Sequence, residues 1–173
     1  MKTFVVLGMH RSATSLAAKG LARSGIHMGD SLLGVAPSNP YGHWEDVDFV
    51  RLNDRLLKAA GGSWNHPPPE EQILSLKDEK GWDGEIERLV RRKRREPFWG
   101  WKDPRTVLTI RLYLSYLEGP HFIACFREPE EVAKSLARRE REMTKGQCLS
   151  LAEIYNERLL RFLSEWTSIK SQL

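Results

Sequence analysis

The apolar positions change period along the chain, and each change marks an element. "TFVVLG", residues 3–8, is a continuous apolar run closed by Gly8, the pattern of a strand buried on both faces. Residues 14–24 follow with Leu16, Ala17, Gly20 and Leu21 spaced for one helix face, and Gly25 supplies a stop. The opening therefore predicts strand, tight loop, helix. Residues 34–44, "GVAPSNPYGHW", carry loop chemistry. Glu45, Asp46 and Asp48 then enrich the first turn of a helix, where the macrodipole favours acids. Phe49, Leu52, Leu56, Leu57 and Ala60 give that helix its apolar face, and Gly61-Gly62 ends it. "NHPPPE" is a stiff connector, and residues 69–95 predict a very polar helix ending in "RLVRRKRRE". "FWGW" predicts a short strand that delivers "KDPR" at its C-terminal end, and Pro104 opens a helix over about residues 105–118. "HFIACF" is the second clear strand and ends at Arg127. "EPEEVAKSLARRERE" is a helix with Pro129 in its first turn. A last amphipathic helix, residues 149–170, runs through Leu151, Ile154, Tyr155, Leu159, Phe162 and Trp166.

Strands alternating with helices predict an α/β fold, three layers (α/β/α) around a central parallel sheet. Ligands of such sheets gather at the C-terminal ends of the strands. Three segments rich in chemistry fall at such ends: "GMHRSATS", "WKDPR" and "REPEEVAKS". The first nearly spells the phosphate loop G-x-x-x-x-G-K-[ST], with Ala13 at the second glycine and Thr14 at the lysine. A strand-to-helix turn presents backbone N–H groups and the positive helix end to an anion whatever its side chains. Without the lysine, metal-dependent phosphoryl transfer from ATP is poorly supported. Arg11 offers a two-donor grip on a tetrahedral anion instead, and Ser12, Thr14 and Ser15 add hydroxyls. The same residues also suit a plain capped helix start.

Composition narrows the picture a little further. With 173 residues the chain is long enough for one domain, residues 1–173, with a core of its own. A net charge of +4 fits a small anionic ligand and is too mild to point to nucleic acid. Cys125 and Cys148 have no metal-ligand spacing and cannot make a disulfide framework. Cys125, inside "HFIACF", predicts a buried free thiol and a reducing compartment. The apolar stretch near the N-terminus is too short for a signal sequence or a membrane span, so the expected location is the cytoplasm, unless the chain is one trimmed of its targeting segment.

Jointly these segments resemble the sulfotransferases that use 3′-phosphoadenosine 5′-phosphosulfate. "GMHRSATS" is similar to their 5′-phosphosulfate loop. "FREPEEVAKSLARR" is similar to their 3′-phosphate motif, a strand ending in Arg, then Pro, then Ser eight residues after the Arg. "NPYGHWED" and "WGWKDPR" resemble segments of the bacterial sulfotransferase-like branch. The resemblance runs from residue 3 to about residue 140 and is weakest over 66–96. It implies a P-loop NTPase-like sulfotransferase fold, in a chain that ends earlier than family members usually do.

It further implies site residues. Gly8, His10, Arg11, Ser12, Ala13, Thr14 and Ser15 would hold the 5′-phosphosulfate, and Arg127 and Ser135 the 3′-phosphate. In related tyrosylprotein sulfotransferases a Glu is the base and the Lys of a "KDP" segment stabilises the leaving side, which implies Glu45 and Lys102 here. His43 is the rival base, since histidine readily accepts protons near neutral pH. Arg11 also belongs to the expected catalytic set, Arg138 and Arg139 are placed to assist, and Asp103 and Arg105 to orient the "KDPR" loop. Of Trp44, Trp64, Trp99 and Trp101, one suits stacking on adenine or on an acceptor ring and most suit core packing. "RRKRR", residues 91–95, fits a solvated helix face.

The implied co-substrate is 3′-phosphoadenosine 5′-phosphosulfate, leaving as 3′-phosphoadenosine 5′-phosphate, with no metal required. The implied partner is a small-molecule, glycan or lipid acceptor with a hydroxyl or amine; no nucleic acid and no membrane span are expected, and the oligomeric state stays open. Two other readings remain: a non-catalytic nucleotide-binding module on the same fold, and a P-loop phosphotransferase. Ala13, where the family usually has Gly, restricts the loop if φ there must be positive.

Overall fold

The computed structural model describes residues 1–35 and 42–170. Residues 36–41, part of the expected 34–44 loop and of "NPYGHWED", lie outside the described residues. Three strands, β1 (Lys2–Leu7), β2 (Phe98–Lys102) and β3 (Pro120–Ala124), form one parallel sheet in the order β2-β1-β3. Because all three run the same way, their C-terminal ends share one edge. Among the described residues, seven α-helices surround the sheet: α1 (Thr14–Arg23), α2 (Val47–Ala59), α3 (Glu70–Ser75), α4 (Trp82–Lys93), α5 (Thr106–Tyr113), α6 (Pro129–Arg139) and α7 (Lys145–Lys170).

Alternation along β1 decides the layers. Val5 and Leu7 face the larger core with Trp99, Trp101 and apolar side chains of α2 to α7, while Val6 faces the other way, onto Ala18 of α1 and Met28. Trp101 is fully buried and lies flat on Phe49, ring centroids 4.2 Å apart. Burying one such ring stabilises the fold by about 1.5–3 kcal/mol. Gly100 sits between the two tryptophans, where a Cβ would fall 1.9 Å from the carbonyl oxygen of Phe4, so β1 and β2 can approach only at a glycine.

The three-layer α/β arrangement expected from the pattern is present, with several local corrections. The strand expected at 3–8 is Lys2–Leu7, and α1 stops at Arg23, where Gly25 takes φ 85°. The helix expected to begin among the acids begins at Val47, because the Asp46 carboxylate caps it by accepting from Asp48 N at 2.9 Å. The polar helix expected over 69–95 is broken: α3 passes into a 3₁₀ turn, Leu76–Asp78, and Gly81 at φ 109° resets the chain before α4. The helix expected to reach 118 ends at Tyr113 in a 3₁₀ turn, Leu114–Tyr116. The α6 helix stops at Arg139. The last helix starts at Lys145, not 149, because Thr144 and Gln147 bond reciprocally: Gln147 N donates to Thr144 Oγ1 (3.2 Å) and Thr144 N to Gln147 Oε1 (2.8 Å). The strand expected over "HFIACF" is shorter and lies at the sheet's edge, which leaves Cys125 half-buried rather than buried.

Candidate functional site

The C-terminal edge of the sheet opens into a pocket of about 540 Å³. One wall is the loop between β1 and α1. Gly8 opens that loop at a close approach: a Cβ there would meet the Cys125 carbonyl oxygen at 2.6 Å and Thr14 at 2.8 Å. Arg11 (φ 70°) and Ala13 (φ 62°) both take left-handed conformations, and so does Trp44 across the pocket (φ 58°). Among the described residues these are the only non-glycine positions with positive φ, and all three line the same pocket. A left-handed residue with a Cβ costs roughly 1–2 kcal/mol, and such strain concentrates at functional sites. The concern raised by Ala13 is thus real: its φ is positive and its Cβ is carried at a cost.

The N-cap of α1 is Ala13, which offers the first helical amides no side-chain cap. Ser12 Oγ and His10 Nε2 are buried and have no hydrogen-bond partner among the described residues. His10 stands edge-on to Trp64, with centroids 4.7 Å apart. Burial, then the charges of Arg139, Arg105 and Lys102, hold its pKa well below 6.5, so the ring is neutral. A buried polar group left unpaired costs about 1–3 kcal/mol, a cost that an incoming oxyanion or water would remove.

Lys102 enters from the end of β2. Its Nζ donates to Glu45 Oε1 at 2.7 Å, to the His43 carbonyl at 3.0 Å and to Ser15 Oγ at 3.4 Å. Ser15 Oγ in turn donates to the His43 carbonyl at 2.9 Å. A lysine from the neighbouring strand therefore meets the loop that lacks its own. Glu45 is 4 % exposed and Lys102 2 %. Arg105 Nη1 lies 3.8 Å from Glu45 Oε2, and its other bonds go to Asp103 and Asp54 at 2.9 and 2.6 Å. Asp103, fully buried, also accepts from Asn53 at 2.8 Å. These bonds tie the "KDPR" loop to α2, through Asn53 and Asp54. His43 Nδ1 sits 3.9 Å from Glu45 Oε1; burial first, and then Lys102, Arg139 and Arg11 against Glu45, lower its pKa from 6.5.

Arg127 reaches back from the end of β3, its Nη1 donating to the Arg11 carbonyl at 3.0 Å, while Arg11 Nε donates to Ser135 Oγ at 2.9 Å. Arg127 Nη2 also lies 3.7 Å from Glu131. Of the residues expected to act, Glu45, Lys102, His43, Arg11, His10, Ala13, Thr14, Ser15 and Arg127 line the pocket. Gly8, Ser12 and Ser135 support it from outside its lining. Leu16, Lys19 and Pro104 line it without having been anticipated; Leu16 and Lys19 follow Ser15 on the first turns of α1, the position from which a helix side chain overlooks its own N-terminus. Arg139 lines it as well, while Arg138 is exposed. Among the tryptophans, Trp44 lines the pocket, Trp64 backs His10 and carries the Arg139 guanidinium 5.5 Å from its ring, and Trp99 and Trp101 are core.

The lining carries Arg11, Lys19, Lys102, Arg127 and Arg139 against one carboxylate, Glu45. Such an excess in a concave site concentrates the positive field and favours an anion. Among the described residues no cluster of His, Cys, Asp and Glu is placed to hold a metal, and no helix is long and apolar enough to cross a membrane. Compared with family models, curated proteins and solved structures, the chain gives no match.

Proposed function

We propose that this chain is a sulfotransferase of P-loop-like fold that uses 3′-phosphoadenosine 5′-phosphosulfate and transfers its sulfuryl group to an acceptor hydroxyl or amine. One observation carries the reading. The ends of all three parallel strands bring Arg11, Lys102 and Arg127 to one pocket that also holds a single buried carboxylate. The unpaired buried atoms of His10 and Ser12, the uncapped α1 amides and the cationic lining fit a ligand with more than one oxyanion.

The bound donor supplies a sulfuryl group and a phosphate leaving group. The loop, with Arg11, Thr14 and Ser15, grips the 5′ end. Arg127 serves the 3′-phosphate, and Ser135 positions Arg11 by accepting its Nε–H. As the acceptor oxygen bonds to sulfur and the bond from sulfur to the phosphate oxygen breaks, the acceptor proton passes to Glu45. Protonation of Glu45 weakens its hold on Lys102, and that ammonium then pairs with the charge growing on the leaving oxygen. His43, neutral near pH 7 and facing the same pocket, is the alternative acceptor of that proton. Glu45 turned into the pocket speaks for catalysis over a binding-only module on the same fold.

The test is turnover of the donor with a panel of hydroxyl and amine acceptors in the presence of a chelator, read as release of 3′-phosphoadenosine 5′-phosphate. Wild type should release it and Lys102→Met should not. Transfer seen only from ATP with magnesium would make the protein a phosphotransferase.

A further inference from the structure

On the far side of α2 a second concavity, about 380 Å³, lies between α2 and α4. Its cations are all arginines: Arg51 and Arg55 from α2, Arg88 and Arg92 from α4. Its two acids are already engaged, since Glu85 holds Arg55 through two bonds of 2.6 and 3.0 Å, and Asp48 lies 3.1 Å from Arg92. Arg51 and Arg88, one on each wall and both exposed, make no ion pair within 4 Å among the described residues and act on the groove acids only at longer range, Arg51 on Asp48 and Arg88 on Glu85. The floor beneath them is Leu52 and Leu89. Arg91, on α4 and 3.9 Å from Glu87, and Arg95, just past the end of α4, are exposed beyond the groove and extend the positive field.

Four guanidinium groups against two carboxylates leave the groove net positive, and an anion between its walls relieves that excess. Planar guanidinium forks match tetrahedral oxyanions with two donors each. The surroundings narrow the class of ligand. Among the described residues no aromatic side chain lines the groove, and nearby Trp82 carries the Arg55 guanidinium 5.2 Å from its ring, so these residues give the groove no face for stacking bases. Neither α2 nor α4 exposes a large apolar side chain among the described residues, so nothing there would enter a bilayer. An apolar floor between anion clamps instead suits the C–H face of a sugar ring that carries a sulfate.

We infer that the α2/α4 groove binds a sulfated polysaccharide, with Arg51 and Arg88 bracketing one sulfate. The inference does not rest on the transferase reading of the main pocket. The probe is a heparin octasaccharide titrated into the full chain by calorimetry, at fixed salt. The double variant R51Q/R88Q should bind it about tenfold more weakly or worse, with its melting temperature and its response to 3′-phosphoadenosine 5′-phosphate unchanged. R91Q/R95Q removes the same charge from outside the groove and should lose about twofold or less. Equal losses in the two variants would reduce the groove to diffuse attraction and overturn the site. Binding of an oligothymidylate or of anionic vesicles as tight as that of the octasaccharide, and as sensitive to R51Q/R88Q, would overturn the polysaccharide assignment. So would unchanged affinity for a desulfated octasaccharide.

Discussion

Two lysines are buried among the described residues, and their surroundings differ. Lys93 is 4 % exposed and meets Asp46, Asp48 and Asp30 at 2.8, 2.8 and 2.9 Å. Burial opposes its charge, but those three hydrogen bonds outweigh it and raise the pKa above 10.5. Lys102 is 2 % exposed and meets one carboxylate, one hydroxyl and one carbonyl, at the wall of a pocket. The first is over-neutralised and joins α4 to the start of α2 and to the chain at Asp30. The second has a single counter-charge and open space beside it. Taking an ion out of water costs several kcal/mol. At Lys93 the protein offsets that cost in full, and the result is structure. At Lys102 it offsets the cost in part and leaves room for an anion. Both lysines bear on one segment, since Asp46 follows Glu45 directly and the Glu45 carbonyl accepts from Leu33 N at 2.7 Å.

The comparison can be broken in order of effect. Glu45→Gln should lower turnover about 10²–10⁴-fold while donor affinity, measured by calorimetry, stays near wild type. Loss of both in equal measure removes Glu45 from the role of base and leaves His43. Lys93→Met should destabilise the fold by about 3–5 kcal/mol in urea titrations, because buried Asp46 is left without its cation. Lys102→Met should cost less stability, since Arg105 still faces Glu45 at 3.8 Å, and should abolish donor binding or turnover instead. If the two variants behave alike, the distinction between a structural and a functional lysine fails.

The Lys93 cluster also has a pH signature. Asp30 and Asp48 are held below 3.8, chiefly by hydrogen bonds from Lys93, so their contribution is complete above that value and fades as pH falls through the lowered pKa values. The Lys93 contribution is complete below 10.5 and fades as pH rises through its raised value. Lys93→Met should flatten both limbs of a stability-against-pH curve.

Arg127→Ala should reduce the preference for the 3′-phosphorylated nucleotide over adenosine 5′-phosphosulfate about tenfold, the low end for a charged hydrogen bond because Arg127 is partly exposed. An unchanged preference moves the 3′-phosphate elsewhere. Smallest of all, Ala13→Gly should stabilise the protein by about 0.5–1 kcal/mol, the relief of the left-handed strain less the added freedom of the unfolded chain. A loss of stability would mean that the loop relaxes to another conformation.

Much of this was legible in the chain. The strand, loop and helix at the N-terminus and the stops at Gly25 and Gly61 follow from local rules, and so does the gathering of three motifs at one sheet edge. Two further features are written in the sequence. Thr144 and Gln147 have the spacing of a capping box and mark the true start of α7. Lys93 falls seven residues after Ile86, on the same stripe as Leu89 and Val90, so it points inward while the other residues of "RRKRR" do not. What sequence could not give is long-range: the 2.9 Å bond between Arg11 and Ser135 joins positions 124 residues apart. That Lys102 would serve the first loop depends on the β1–β2 register, which pairs Val6 with Lys102. The break at Gly81 hid within a helix-favouring stretch, where polar residues give no period to interrupt.

The most direct test of the central claim is a thermal-shift titration without added metal, comparing 3′-phosphoadenosine 5′-phosphate with AMP and with ATP plus magnesium. A ligand at a hundred times its dissociation constant adds about 2.7 kcal/mol, a rise on the order of 5–10 °C for a domain of this size. The account predicts that rise for the 3′-phosphorylated nucleotide alone, abolished in Lys102→Met and reduced in Arg127→Ala. A rise with ATP and magnesium only, or with no nucleotide at all, would contradict it.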